Sequence, residues 1–222
     1  MIKAVVFDLD DTLYLEADFV RSGFQCVGEW CRTAHGIAGV DKVAWRLFCE
    51  GRRGNIFNLA LAELRVPRAK EMVLHMVQVY RTHKPTINLP ADSAECIKQL
   101  RGNHKLGLIT DGPAEMQWNK IRTLQLDSCL DEIIVTADLG DGFSKPHERA
   151  FVKMEEQFSE TGAALVYVAD NPSKDFVAPA KRGWRTIRVT REGCLYREET
   201  VAAGSEFCVC DLGAAAAMIL SL

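Results

Sequence analysis

Short, nearly unbroken runs of apolar residues recur along this chain at positions 3–7, 106–109, 133–136, 165–169 and 186–189. Each has the length of a strand, and most are separated by stretches whose apolar residues fall at helical spacing. A strand with one wet face alternates apolar and polar residues, whereas a continuous run of Val, Ile and Leu suits a strand buried on both faces. The pattern predicts an α/β fold, a doubly wound parallel sheet with helices packed on either side.

One interval breaks the rhythm. From about Tyr14 to about Thr86 there is no strand-like run, and helical periodicity covers 17–34, 40–49, 56–64 and 69–82, punctuated by Gly36, Gly39, Gly51, Gly54 and Pro67. The chain is therefore expected to form a core domain from 1–14 and 87–222, with a helical cap domain inserted at 15–86. Trp30, Trp45, Phe48 and Phe57 are expected to make the insertion's own small core. After Pro85 and Pro90 the core resumes with a helix over 91–101, for which Asp92 and Ser93 offer caps.

Composition narrows the function classes. With 48% hydrophobic and 26% charged residues the chain is a globular mixture, and no apolar run is long enough to span a bilayer. The first apolar run is too short for a signal-peptide core and no small-residue cleavage site follows it, so the expected address is the cytoplasm. A net charge of −3 argues against nucleic acid as a partner, although a local site of opposite sign still admits a small anionic substrate. The eight cysteines include no C-x-x-C pair and are expected to be reduced and mostly buried.

The chemistry-bearing residues sit where the apolar runs end. Asp8, Asp10, Asp11 and Thr12 follow the first run. Carboxylates this close repel one another unless a cation sits among them, and an oxygen-only donor set suits magnesium. Residues two apart on a strand point the same way, so Asp8 and Asp10 can converge on one ligand, at the strand end where open α/β sheets bind theirs. A solvated turn that caps a helix reads similarly. After the second run, Thr110, Asp111 and Gly112 precede Pro113 at a helix start, where a hydroxyl and backbone N–H groups can cradle a phosphate, as an ordinary strand-to-helix turn also would. Lys145 precedes Pro146, which is expected to hold it extended and to open the next helix. A lysine fixed there can neutralise a phosphate, or be a solvated surface residue. The fourth run delivers Asp170 to complete a metal site, with Asp175 after a short turn as an outer carboxylate or an N-cap.

In this order the four elements resemble the motifs of the haloacid dehalogenase-like (HAD) superfamily: D-x-D-x-T at strand one, Ser or Thr after strand two, a lysine, and an acidic pair after strand four. The resemblance covers nearly the whole chain. It implies a magnesium-dependent phosphatase, in which Asp8 is the nucleophile that forms an aspartyl-phosphate and Asp10 the general acid and base. It further implies that Thr110 and Lys145 bind the phosphoryl oxygens, with Asp111 and Gly112 beside them. Asp8, the backbone carbonyl of Asp10, and Asp170 would hold the metal, with Thr12 and Asp175 outside them. Asp10 marks the phosphate-transferring branch and disfavours dehalogenation. Ala169 and Asp111 depart from the frequent Gly and Asn without removing a catalytic group. The insertion resembles the family's helical cap, which implies a small phosphorylated metabolite such as a sugar phosphate or nucleotide. Arg52, Arg53 and Asn55 are polar enough to contact such a substrate, and equally suit a solvated loop.

Two competing readings remain on the sequence. Receiver domains of two-component signalling also use Asp, Thr and Lys, but place the phosphorylated Asp at strand three, where this chain has no carboxylate until Asp138. A non-catalytic phosphate-binding or regulatory relative would keep the fold, yet every expected catalytic group is present here.

Overall fold

The computed structural model describes residues 1–67, 70–197 and 205–222. They divide into two units, Ala17–Ile87 and Met1–Glu16 with Asn88–Leu222.

The helical unit is built from α1 (Glu16–His35), α2 (Val40–Cys49), α3 (Ile56–Glu63) and α4 (Lys70–Thr82). The expected start of the last helix at Ala69 lies outside the described residues. Small residues let these helices approach closely: a Cβ on Gly23 would stand 2.5 Å from the Tyr80 ring, and one on Gly28 only 2.6 Å from Asp41 Cβ. The apolar centre is Phe19, Phe24, Phe48 and Phe57, with the Phe24 and Phe57 rings edge-on at 5.8 Å. Trp30 and Trp45 are only half-buried, so the expectation that they form this core with Phe48 and Phe57 is corrected. Both border it instead: Trp45 stacks on Phe48 at 5.5 Å with the Arg21 guanidinium over its ring, and Trp30 packs against His35.

The other unit carries β1 (Ala4–Phe7), β2 (Lys105–Thr110), β3 (Glu132–Val135), β4 (Leu165–Ala169), β5 (Arg185–Val189) and β6 (Phe207–Val209). They form one parallel sheet in the order β3-β2-β1-β4-β5-β6. The four residues of β1 and the five of β4 are fully buried, which is why their sequences are uninterrupted apolar runs. Strand order reverses between β1 and β4, and the crevice outside their carboxyl ends is where such sheets bind ligands.

Helices α5 (Ala91–Leu100), α6 (Ala114–Thr123), α7 (Arg149–Phe158), α8 (Val177–Lys181) and α9 (Leu212–Ser221) belong to this unit. From α7, Phe151 meets Tyr167 and Trp184 edge-on at 5.0 and 5.5 Å. Gly107 allows α7 to lie close on β2, since a Cβ there would be 2.9 Å from Met154 Sδ.

Several local expectations are revised. Asp92 and Ser93 do not cap α5: their side chains accept from Arg191 Nη2 at 2.8 and 3.1 Å, and Asp92 also accepts from Leu212 N at 3.2 Å. They tie α5 to the start of α9. Pro146 does not open α7, which begins at Arg149 with His147 Nδ1 accepting the Arg149 N–H at 3.0 Å. The cysteines are free, but only Cys31, Cys96 and Cys194 are buried, while Cys26, Cys49, Cys208 and Cys210 are exposed. The last pair lies on or beside β6, a short strand at the sheet edge.

Candidate active site

β1 ends with Asp8, whose N–H donates to Val168 O at 2.9 Å and so keeps it in register with β4. The chain then folds back: Asp11 adopts a left-handed conformation with φ 56°, and Leu13 N donates to Leu9 O at 3.0 Å. The Asp11 carboxylate holds this turn by accepting from Glu16 N at 2.8 Å and Leu195 N at 2.9 Å. Asp170 leaves the end of the neighbouring β4. Asp175 is brought back beside it by accepting the Asn171 N–H at 3.0 Å, so it does not cap α8.

One oxygen from each of Asp8, Asp170 and Asp175 lies within 4.8 Å of the others, and all three residues are buried. Burial pushes the Asp8 carboxyl up to about 7, against the opposing pull of the Lys145 ammonium. Burial, with the charges of Asp8 and Asp175, pushes Asp170 up to about 9. Lys145 Nζ sits 2.5 Å from Asp8 Oδ1, 2.8 Å from Asp175 Oδ1 and 3.0 Å from the Tyr167 hydroxyl. Burial alone would lower this lysine, but Asp175 and Asp8 outweigh it and hold the ammonium well above its ordinary value. The Asp170 Oδ2 atom is buried without a hydrogen-bond partner among the described residues, while Oδ1 accepts from Thr12 Oγ1 at 3.4 Å. An orphaned carboxylate oxygen among converging carboxylates is the donor set a hard divalent cation requires, and these residues fit one.

Asp10 points into a different environment. Its carboxylate is paired with Lys120 Nζ at 2.8 and 2.9 Å, accepts from Gln117 Nε2 at 3.0 Å, and accepts a short hydrogen bond from the Tyr14 hydroxyl. Burial favours the neutral acid, but Lys120, Tyr14 and Gln117 together hold Asp10 below the ordinary carboxylate range. Gln117 Nε2 also donates to Thr110 Oγ1 at 2.5 Å and Asp111 O at 2.7 Å, so α6 binds the ends of β1 and β2 together. Gly112 has φ 134°, and a Cβ there would lie 3.2 Å from the Gln117 side chain. The Asp111 carboxylate joins Thr136 Oγ1, the Lys145 N–H and Lys174 Nζ at 2.8, 3.1 and 3.1 Å.

Asp8, Asp10, Asp11, Glu16, Asp111 and Asp170 line a cavity of about 440 Å³ with Lys120, Lys174, Met116, Asn171, Ser173 and Tyr196. The structure thus brings Asp8, Asp10, Asp111 and Asp170 to one cavity. Thr110 is tied to it through Gln117, while Lys145, Thr12 and Asp175 support it from beneath. Lys120, Gln117, Tyr14 and Lys174 were not singled out from the sequence. Their signal was present in part: Gln117 and Lys120 are three apart on a helix that follows the Thr110 motif, hence on one face. Arg52, Arg53 and Asn55 belong to the helical unit and are exposed, with Arg53 donating to Phe48 O at 2.9 Å and lying 4.0 Å from the Phe48 ring centre.

Residues 2–181 match the model of the family described as hydrolase, haloacid dehalogenase-like hydrolase. The chain belongs to the haloacid dehalogenase-like hydrolase family. A curated relative is the glyceraldehyde 3-phosphate phosphatase of Methanopyrus kandleri, 27% identical over 208 residues that cover 86% of this chain and 85% of the relative. Among solved structures, the putative HAD-hydrolase YfnB of Bacillus subtilis, bound to magnesium, is 19% identical with a TM-score of 0.71, covering 100% of this chain and 99% of that one. A 2-haloacid dehalogenase of Pseudomonas syringae is 21% identical with a TM-score of 0.68, over 100% and 99% of the two chains. These structures share the HAD fold with this hydrolase, and dehalogenases and phosphatases both occupy it. Fold alone therefore does not select the reaction, which must be argued from the site.

Proposed function

We propose that this HAD-family hydrolase is a magnesium-dependent phosphatase of a small phosphorylated sugar or similar metabolite, acting through an aspartyl-phosphate. The observation that carries the reading is the pair of opposed environments at the end of β1. Asp8 stands among carboxylates and the buried Lys145, while Asp10, two residues on, is held by Lys120, Gln117 and Tyr14. Two carboxyl groups kept in such different surroundings suit two different jobs, nucleophile and proton carrier. Phosphatase relatives and a cavity sized for a small ester support the same reading.

In this proposal Asp8 and Asp170, with the main-chain carbonyl of Asp10, would hold magnesium, which would offset the charge of the converging carboxylates and of the phosphoryl oxygens. An Asp8 oxygen forms the new bond to phosphorus as the bond to the leaving oxygen breaks; Asp10, ionised in the free protein, takes up a proton from solvent as substrate binds and passes it to the leaving oxygen. Asp10 then takes a proton from the water that attacks the aspartyl-phosphate, which regenerates Asp8 and releases phosphate. Thr110, with its oxygen already accepting from Gln117, retains its hydroxyl proton for a phosphoryl oxygen. Asp111 and Gly112 shape the turn beside it, and Lys145 supplies positive charge from below. Thr12 and Asp175 orient Asp170 and Lys145. A substrate-selecting role for the helical unit, as a cap, belongs to the same proposal.

The test is phosphate release from glyceraldehyde 3-phosphate, other sugar phosphates, glycolate phosphate and nucleoside monophosphates, with magnesium and with chelator. Magnesium-dependent release from a subset of these is expected, with Asp8→Asn inactive. Full turnover by Asp8→Asn would overturn the reading.

A further inference from the structure

Among the described residues, Lys120 is the most buried charged one whose role the motif pattern leaves open. Only 1% of the residue is exposed, and Gln117, one helical turn earlier on α6, is 0% exposed. A lysine is almost never buried to this extent without a partner, and here the partner is Asp10, with Nζ 2.8 Å from Oδ1 and 2.9 Å from Oδ2. A buried ion pair is a poor device for stability, since an apolar pair of similar volume usually serves as well. What the pair does provide is a fixed orientation. The donors divide between the two Asp10 oxygens, Tyr14 on Oδ1 and Gln117 on Oδ2, with Lys120 astride both. Gln117 gives its amide to donation: the two Nε2 hydrogens are shared among Asp10 Oδ2, Thr110 Oγ1 and Asp111 O, while Oε1 is buried without a hydrogen-bond partner among the described residues. Leaving an acceptor unsatisfied has a cost, and it is borne at the residue that ties Asp10 to the Thr110 turn.

We propose that Lys120, assisted by Gln117, is a positioning residue for Asp10, aiming its carboxyl at the leaving oxygen of the phosphate ester. The assignment rests on the reading of Asp10 as general acid and base. It also accounts for the partial exposure of the Asp10 side chain, 22% against 2% for Lys120: one side of the carboxylate is gripped by α6 while the other opens on the cavity.

The test compares two esters in the magnesium-loaded protein. Expulsion of an alkoxide from glyceraldehyde 3-phosphate needs a well-aimed proton, whereas 4-nitrophenolate leaves without one. The ratio kcat/KM reports steps through departure of the leaving group, so Lys120→Met should lower it by about 100-fold for the alkyl ester and by less than about 5-fold for the aryl ester, a span typical of lost general acid catalysis. Gln117→Leu should show the same selectivity with a smaller loss, and carries the comparison if Lys120→Met does not fold. Equal losses on both esters, or no loss on either, would overturn the assignment and leave Lys120 a structural residue. Absence of magnesium-dependent phosphate release by the unmodified protein from the aryl ester and from every alkyl ester of the panel would overturn the phosphatase reading and this assignment with it; where another alkyl ester of the panel is the one turned over, it takes the place of glyceraldehyde 3-phosphate in the comparison.

Discussion

Lys145 Nζ lies 2.5 Å from Asp8 Oδ1, joining residues 137 positions apart in the sequence at the centre of the candidate site. The same ammonium reaches Asp175 Oδ1 at 2.8 Å, so one cation serves two buried carboxylates. Its removal leaves both uncompensated, which typically costs about 3–5 kcal/mol. Lys145→Met is expected to destabilise the metal-free protein on that scale in urea unfolding, to lose less in excess magnesium, and to release phosphate poorly. An unchanged unfolding midpoint without metal would show that the pair carries no such burden.

Asp170→Asn separates the metal from the rest of the site. Its Oδ2 has no hydrogen-bond partner among the described residues, and its other oxygen meets only the long contact from Thr12 at 3.4 Å. An amide there keeps the shape but contributes no charge to a cation. The magnesium concentration needed for half-maximal activity should rise by about ten-fold or more, as for loss of a hard anionic ligand. An unchanged titration would remove Asp170 from the metal site.

The raised carboxyls give a pH dependence whose sign is determined. Burial holds Asp8 up to about 7 and Asp170 up to about 9, so in the folded protein both keep protons that an unfolded chain has already released. Between the ordinary carboxylate range and those values the folded state binds more protons, and stability falls as pH rises. The contribution is fully present below the unfolded pKa and is lost as pH passes through 7 and then 9. Thermal unfolding in chelator from about pH 5 to about pH 9 should therefore show a declining midpoint, and magnesium, which favours the deprotonated forms, should flatten the decline. A midpoint that rises across this interval in chelator would contradict the burial of these groups.

The sheet was legible because β1, β2 and β4 are nearly all buried and so carry apolar runs, whereas β5 is largely buried but includes Arg185, Thr186 and Arg188; Asp8, Asp10, Thr110 and Asp170 were legible because each ends or closely follows an apolar run. What sequence did not reveal depends on partners distant in the chain. Asp92 looks like a cap until Arg191, 99 residues on, is seen to claim it. Lys120 looks like a surface lysine on α6 until Asp10, 110 residues before it, is seen to bury it. β6 has three residues and a half-exposed edge position, too short for periodicity to register. Cysteine exposure failed for a similar reason, since outward helix faces and sheet edges are tertiary facts.

Asp211 illustrates a cap that does form. Its Oδ1 accepts the Ala214 N–H at 2.8 Å at the start of α9, and that bond holds the carboxyl below its ordinary value. Asp211→Ala should destabilise the protein by about 1 kcal/mol, the usual worth of an N-cap, with little change in phosphate release. Asp211→Asn should recover most of the loss in thermal unfolding, because the amide oxygen accepts the same bond. Equal loss in both variants would show that the charge, and not the hydrogen bond, supports α9.

Gly112 joins backbone geometry to the Asp10 clamp. Its φ of 134° is one that residues with a side chain rarely adopt, and an added Cβ would approach Gln117 to 3.2 Å from its amide carbon. The Gln117 amide is the group that holds Thr110 Oγ1, Asp111 O and Asp10 Oδ2 together, so it cannot move aside without loosening all three. Gly112→Ala should therefore cost about 1–3 kcal/mol of stability from backbone strain and also lower kcat for an alkyl phosphate. In contrast, Gly142→Ala, at φ 83° with no atom within 4 Å of the added Cβ, carries the strain without the clash. It should lose stability by a comparable amount and retain kcat. If both substitutions depress kcat to the same extent, the effect arises from general destabilisation, and Gly112 has no specific connection to the Gln117 link.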